Sequence, residues 1–223
     1  MNLPATRAAF PDLGEPKLAQ LSLFAEGLLE WNQHINLISR KDEAEFEVHH
    51  LLHALSIAKL VAFVPGTRIL DVGTGGGLPG LPLAVLFPDC RFVLVDSIGK
   101  KIKVVQDLID RMGLTNVQAI QQRAEQAEAP FDFVVSRAVT RLNDFLPWIQ
   151  NKMSGAHRND LENGVLYLKG GDLREELAEI DWKSSVYHLD RLFPQPFFET
   201  KQLVHLVKPA HKKAGPAFTL RPA

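Results

Sequence analysis

The decapeptide Asp71-Val-Gly-Thr-Gly-Gly-Gly-Leu-Pro-Gly80 limits what this chain can fold into more than any other stretch. The apolar residues before it, Arg68-Ile-Leu-Asp71, read as a buried strand. Those after it, Leu81-Pro-Leu-Ala-Val-Leu-Phe87, read as a helix. A strand, a glycine turn and a helix in succession form a ligand cradle, because only glycine lets the backbone turn this tightly and come this close to a bound group. One βα unit later Phe92-Val-Leu-Val-Asp96 reads as a second strand, ending in an acid. A carboxylate there can accept hydrogen bonds from both hydroxyls of a ribose, so the expected ligand is a nucleoside cofactor.

Two glycine registers compete. Gly75-Gly-Gly77-Leu-Pro-Gly80 fits the dinucleotide pattern G-x-G-x-x-G, but its first glycine falls four residues past Asp71, too far from the strand for a tight turn. Asp71 would also lie near the pyrophosphate, where like charges repel. The other register, Asp71-x-Gly73-x-Gly75-x-Gly77, resembles the first motif of class I S-adenosylmethionine (AdoMet) methyltransferases. Their ligand carries a sulfonium and an ammonium, which an acid at the strand end favours. A glycine turn without a ligand is the plain alternative, and four glycines in five residues argue against it.

The 223 residues, 46% of them hydrophobic, support one core of about 150–170 residues plus an appendage. Lys17–Asn32 carries Leu18, Leu21, Phe24, Ala25, Leu28 and Leu29 at helical spacing. Asn32–Ser39 reads as a turn, and Glu43–Val64 as a second helix with Val48, Leu51, Leu52, Leu55, Ala58 and Leu60 inward, stopped by Pro65-Gly66. Beyond residue 66, strands near 68–72, 91–96, 116–121, 131–136 and 164–168 alternate with helices near 79–87, 99–112, 141–150 and 173–180. Such alternation implies a parallel sheet with right-handed crossovers. Two late strands near 185–190 and 202–208 suggest an antiparallel pair at its edge, and Ser154–Asn163 reads as a surface loop. The expectation is α/β: a Rossmann-like, seven-stranded, mostly parallel sheet with an antiparallel edge over residues 66–223, and a short helical N-terminal extension over residues 1–65 packed on it.

Beyond the glycine loop, several segments resemble the glucose-inhibited division protein B family, whose members methylate guanine N7 in small-subunit (16S) ribosomal RNA. They are Trp31-Asn32, Asn36-Leu-Ile-Ser39, His50-Leu-Leu, Ile69 through Ala84, Asp96-Ser97 with Lys100-Lys101, Arg123-Ala-Glu125, Phe131-Asp132, Ser136-Arg-Ala138 and Leu168-Lys-Gly170. The likeness runs from about Trp31 to Lys208. It implies an AdoMet-dependent rRNA methyltransferase with a class I fold. Gly73, Gly75, Gly77 and Leu78 are then cofactor-binding, with Gly73 and Leu78 beside the methionine part. Asp96 is the ribose acid, and Ala124 and Glu125 line the adenine. Arg137, at the mouth of the cofactor site, is counted with the cofactor-binding residues, and Lys169 faces the substrate; Arg137 and Lys169 are also the candidates for orienting it. The family often reads arginine-histidine-isoleucine-leucine-aspartate-serine where this chain has His49-His50-Leu51-Leu52-His53-Ala54, which puts any role of that aspartate in doubt here.

Residue types narrow the methyl acceptor. Cytosine-C5 chemistry needs a cysteine nucleophile near the fourth or fifth strand, and Cys90, before the second strand, reads as a packed thiol. Exocyclic-amine enzymes of the common type carry an Asn/Asp-Pro-Pro-aromatic run after the fourth strand, where this chain has Ser136-Arg137-Ala138-Val139. Guanine N7 needs neither device. Plain structural readings stay open: Arg137 paired with Asp132 or a helix end, Lys169 a solvated strand end, Lys100, Lys101 and Lys103 a solvated face. His49 and His50 are adjacent and diverge by about 100° on a helix, with no evident fourth ligand, so no metal is expected. The basic stretch Lys208-Pro-Ala-His-Lys-Lys213 with Arg221 reads equally as an RNA-backbone contact or as a frayed terminus.

Net charge is −1, so nucleic-acid contact must come from a local patch, and an assembled small ribosomal subunit is the expected partner rather than bare RNA. One cysteine excludes an internal disulfide. With no apolar run of membrane-spanning length and no signal-peptide core, a cytoplasmic protein without a membrane partner is expected, and nothing demands more than a monomer. The other readings are an AdoMet-dependent methyltransferase on another acceptor and a non-catalytic AdoMet-binding ribosome-assembly factor. A nicotinamide oxidoreductase is the distant last.

Overall fold

The computed structural model describes residues 1–209. Seven strands form one sheet in the order β3-β2-β1-β4-β5-β7-β6. They are β1 (Arg68–Val72), β2 (Arg91–Asp96), β3 (Val117–Gln121), β4 (Phe133–Arg137), β5 (Gly164–Gly170), β6 (Lys183–His188) and β7 (Lys201–Val207). β1 to β5 pair in parallel, while β7 runs antiparallel to both β5 and β6 and sits between them. The chain returns to the centre after β3, so β1 and β4 flank the switch point, where ligands bind at the carboxyl ends of the strands. The expected mixed sheet is therefore present. β6 starts and stops two residues earlier than the expected 185–190, because Leu189–Arg191 tightens into a 3₁₀ turn.

The helices that follow the strands are short or strongly amphipathic. They begin with α5 (Gly80–Leu86) after β1 and α6 (Gly99–Met112) after β2, in which Val104, Val105, Leu108, Ile109 and Met112 face inward. Gly113 closes α6 in the left-handed conformation at φ 64°, the usual glycine device for satisfying a helix C-terminus. The helix α7 (Leu142–Ile149) follows β4 and α8 (Arg174–Ala178) follows β5.

Two N-terminal helices, α1 (Pro4–Ala9) and α2 (Glu15–Asn32), precede the sheet; α1 carries no periodic signal in the sequence. α2 shares the core of the sheet domain: Leu21, Phe24, Ala25 and Leu28 are fully buried in one cluster with Val104, Val105 and Leu108. It also backs the glycine loop. A Cβ added at Gly76 would stand 3.0 Å from Leu28 Cδ1 and 3.5 Å from Leu37 Cβ. Buried Asn32 shapes the turn after α2: its Oδ1 accepts from Leu37 N (2.8 Å) and Ile38 N (3.0 Å), and its Nδ2 donates to Glu43 Oε1 at 2.6 Å.

The expected helix over Glu43–Val64 is not one helix. It is a 3₁₀ turn (Arg40–Asp42), a π-helical turn (Glu47–Leu52) and two short helices, α3 (His53–Leu55) and α4 (Ile57–Leu60). Ser56 Oγ donates back to His53 O at 2.6 Å, the kind of side-chain bond that bends a helix. Burial is correspondingly wider than one stripe: Leu51 through Ile57 are all buried. Lys208 Nζ donates to Gln150 O at 2.6 Å. The rest of the basic tail, with Lys212, Lys213 and Arg221, lies outside the described residues.

Candidate active site

A cavity of about 770 Å³ opens at the carboxyl ends of β1, β2, β4 and β5, within the size range of small-molecule sites. On one wall are Gly73, Thr74, Gly75, Gly76 and Leu78; beside them stand Asp96 and Ser97, then Ala124 and Glu125. The lining also includes Arg137, Lys169, the π-turn histidines His49, His50 and His53, and Phe197 and Lys201; the loop after β4 packs on the glycine loop, where a Cβ at Gly73 would lie 2.5 Å from Val139 Cγ2. Of the sequence candidates, Gly73, Gly75, Leu78, Asp96, Ala124, Glu125, Arg137 and Lys169 are brought together here, and Gly77 is off the wall.

The glycine loop works by backbone conformation. Gly73, Gly75 and Gly77 have φ of 68°, 59° and 94°, so the register beginning at Asp71 coincides with the left-handed positions. At Gly75 an added Cβ would approach nothing nearer than Gly73 O at 4.0 Å, so that position is an open cradle. Gly77 has a different task from the cofactor contact expected of it: a Cβ there would lie 2.4 Å from Leu81 Cδ1. It lets the loop close onto α5.

Asp71 corrects the electrostatic argument for the register. Its carboxylate does not face the ligand. It is fully buried, and Oδ2 accepts from Thr74 Oγ1 (2.7 Å) and Gly80 N (2.9 Å), tying the loop to the start of α5. Burial raises its pKa to about 7, against the pull of those two hydrogen bonds and the charge of Arg137. The folded form thus holds a proton more tightly than the unfolded chain. Stability attributable to Asp71 is intact below the unfolded value near 3.8 and is lost as pH rises toward 7. We expect Asp71→Asn to gain stability relative to the parent between pH 4 and pH 7, the gap widening by at most about 1.4 kcal/mol for each step of one in pH. Urea melts of both proteins across that range measure the gap; a gap that does not change with pH contradicts it.

Asp96, 7% exposed, is held by two backbone donors: Gly75 N to Oδ2 (3.1 Å) and Ile98 N to Oδ1 (2.9 Å). Each oxygen keeps a second lone pair. The cradle at Gly75, this half-used carboxylate, and Ala124 and Glu125 on the turn after β3 fit an adenosine-bearing cofactor. Lys101, at the start of α6, approaches Asp96 Oδ2 at 3.9 Å.

The loop after β4 is unusual. Ala138 lies at φ 52°, a conformation that few residues other than glycine adopt and that clusters at functional sites. Tyr167 holds it: the phenol oxygen accepts from Val139 N and Thr140 N, both at 3.0 Å. Arg137, just before it, is partly buried. Its partner is neither Asp132 nor a helix end. Asp132 is taken by Arg68 N, Arg158 and Asn163. Instead Arg137 Nη1 meets His50 Nδ1 at 3.1 Å and His49 O at 3.4 Å. Burial lowers its pKa to about 10, so it stays charged, and it makes no ion pair among the described residues.

Lys169 is not a solvated strand end. Its ammonium donates to Thr140 O at 2.8 Å and to Glu176, and lies 4.8 Å from the Tyr167 ring centre. Both partners of the pair are 11% exposed, so its charge is neutralised in place. The sequence reading missed Phe197 and Lys201. The antiparallel return of β7 brings them to the same end of the sheet, and Lys201 Nζ sits 4.6 Å over the Phe197 ring. The late antiparallel pair was the available signal.

His49 stacks on Phe197 at 4.1 Å and pairs with Asp42 Oδ1 at 3.1 Å. His50 packs against Phe46, and burial and then Arg137 lower its pKa to about 3. His53, 6% exposed, is likewise held neutral, chiefly by burial. Among the described residues no three His, Cys, Asp or Glu side chains are placed to hold a metal ion, and no helix is long and apolar enough to cross a membrane. Cys90 is buried near Val64 O (3.4 Å), away from the cavity, with a pKa raised to about 11 by burial.

The family model for rRNA small subunit methyltransferase G matches residues 17–205. A ribosomal RNA small subunit methyltransferase G of Flavobacterium johnsoniae is 51% identical over 197 residues, covering 88% of this chain and 94% of that protein. One from Cytophaga hutchinsonii is 49% identical over 197 residues, with 88% and 95% covered. Among solved structures, precorrin-6y C5,15-methyltransferase from Geobacter metallireducens superposes with a TM-score of 0.53 at 11% identity, covering 78% of this chain and 91% of that one, a likeness of fold.

Proposed function

This chain belongs to the rRNA small subunit methyltransferase G family, and on that footing we propose that it methylates N7 of one guanine in small-subunit rRNA with S-adenosylmethionine as donor. The observation that supports this reading is one cavity lined by both the Asp96 carboxylate, which keeps free lone pairs, and the cation of Arg137, unpaired among the described residues. When bound, S-adenosylmethionine supplies a methyl group activated by its sulfonium. Asp96 would accept from the ribose hydroxyls, Ala124 and Glu125 would flank the adenine, and Gly73, Gly75 and Leu78 would hold the methionine part.

Guanine N7 already carries a free lone pair, so no side chain has to remove a proton. What the chain contributes is position, which is worth up to roughly 7–11 kcal/mol in well-oriented cases. Arg137 holds the acceptor nucleotide through O6 or a phosphate. Lys169, neutralised by Glu176, positions the Thr140 loop rather than carrying free charge to the substrate. Cytosine-C5 chemistry lacks its nucleophile, because Cys90 is buried and protonated at neutral pH. At the end of β4 the chain offers Ser136, which is fully buried and bonded to Val72 O at 2.9 Å, and Arg137, which can only donate, so no side-chain acceptor there reaches an exocyclic amine.

The preferred substrate is the assembled small subunit in the cytoplasm, acted on by a monomer. A net charge of −1 supplies no global field to draw in bare RNA, which favours a substrate that offers further contacts. The test is transfer of tritiated methyl to small subunits from cells lacking the gene, beside naked 16S transcript. Faster incorporation into subunits is expected. Equal rates overturn the substrate preference, and no incorporation into either overturns the acceptor.

A further inference from the structure

We propose that His50 is a positioning residue, which fixes the Arg137 guanidinium so that its remaining N–H groups face the acceptor nucleotide. The inference rests on the role given to Arg137 above. Arginine can only donate. Its Nη1 lies 3.1 Å from His50 Nδ1 and 3.4 Å from His49 O, so Nδ1 is the unprotonated, accepting nitrogen. A neutral imidazole with a bare Nδ1 carries its proton on Nε2. That Nε2–H is shielded from solvent and has no partner among the described residues. Leaving a buried donor without a partner costs free energy, so its retention calls for an explanation. His50 keeps that cost while its other nitrogen engages Arg137.

The local backbone explains how this is possible. His50 stands in the π-helical turn Glu47–Leu52, a form often found at functional sites. The turn brings the carbonyl of His49 and the ring of His50 to the same guanidinium nitrogen. Phe46, 1% exposed, packs against the His50 ring and limits its rotation. No carboxylate among the described residues forms an ion pair with Arg137: Asp71, whose charge reaches it, directs Oδ2 to Thr74 and Gly80, and Asp42 pairs with His49. Two contacts on Nη1 leave Nη2 and Nε for the substrate, in the fixed fork that makes arginine suited to planar, oxygen-rich targets.

The experiment is a double-mutant cycle read by methyl transfer to small subunits, with cofactor affinity measured by calorimetry. His50→Leu should lower kcat/KM by roughly tenfold or more, with the cofactor Kd unchanged within about twofold. His50→Asn, whose amide oxygen falls near the Nδ1 position, should recover most of that loss. His50→Gln, whose oxygen reaches the Nε2 position, should not. In an Arg137→Ala background His50→Leu should cost less than about twofold, because there is nothing left to position. A structural role for His50 would lower all variants alike and multiply with Arg137→Ala. That outcome overturns the inference, as does a Kd that rises tenfold. If Arg137→Ala alone leaves transfer unchanged, the role assigned to Arg137 fails first. The Asn and Gln pair decides the matter even if His50→Leu does not fold.

Discussion

Asp96→Ala should weaken S-adenosylmethionine binding by at least about a hundredfold and take methyl transfer with it. Two charge-assisted hydrogen bonds to a ribose, at roughly 1.5–3 kcal/mol each, account for that size. A second effect adds to it. Gly75 N and Ile98 N both donate to this carboxylate, so its removal loosens the cradle at Gly75, where the backbone approaches the cofactor. Asp96→Asn keeps one acceptor oxygen and should fall between parent and alanine. Calorimetric titration measures the Kd. A thermal melt should show a cooperative transition lowered by a few degrees, because two backbone donors lose their acceptor. A Kd within threefold of the parent contradicts the assignment.

Arg137→Ala should separate substrate handling from cofactor binding. We expect kcat/KM on small subunits to fall roughly a hundredfold to a thousandfold, the usual effect of deleting one preorganised polar contact at a reacting centre. The cofactor Kd should stay within about threefold, since Asp96 and the two backbone donors that hold it make no hydrogen bond with Arg137; a larger rise would assign Arg137 the cofactor-binding role that the family resemblance implies. The melting temperature should hold or rise, because the deletion relieves a partly buried cation that makes no ion pair among the described residues. Arg137→Lys should not rescue, since an ammonium cannot reproduce the fork held by His49 and His50. Full activity in Arg137→Ala contradicts this role. Loss of activity together with loss of stability would make it structural.

The fold was legible wherever one physical signal dominated. Apolar runs five to seven residues long, separated by amphipathic helices such as α6, identify a parallel sheet, because only strands buried on both faces read that way. The glycine register was readable from spacing, although the electrostatic reason for preferring it was wrong. Repulsion by Asp71 plays no part at the ligand; the carboxylate is buried and ties the loop to α5. From sequence alone a strand-end acid that faces a ligand looks the same as one that caps its own loop.

The substrate wall was the least readable. The π-turn at Glu47–Leu52 has no side-chain period that distinguishes it from an α-helix, so the convergence of His49, His50 and His53 on the cavity was hidden. Phe197 and Lys201 are separated from the glycine loop by more than a hundred residues and reach the site only because β7 reverses direction. The tie of Lys169 to Glu176 is likewise a tertiary fact. Seven residues apart in sequence, they belong to different elements, and only packing brings them together.

The measurement that bears most directly on the whole account is chemical mapping of the methylated nucleotide. Small subunits from cells lacking the gene are treated with enzyme and S-adenosylmethionine, and their rRNA is then reduced with borohydride and cleaved with aniline, which breaks the chain at 7-methylguanosine. The account predicts one new cleavage at a single guanine, dependent on enzyme and cofactor and strongly weakened at equal reaction time with Arg137→Ala. Methyl incorporation without any new cleavage would place the methyl on another atom and contradict it.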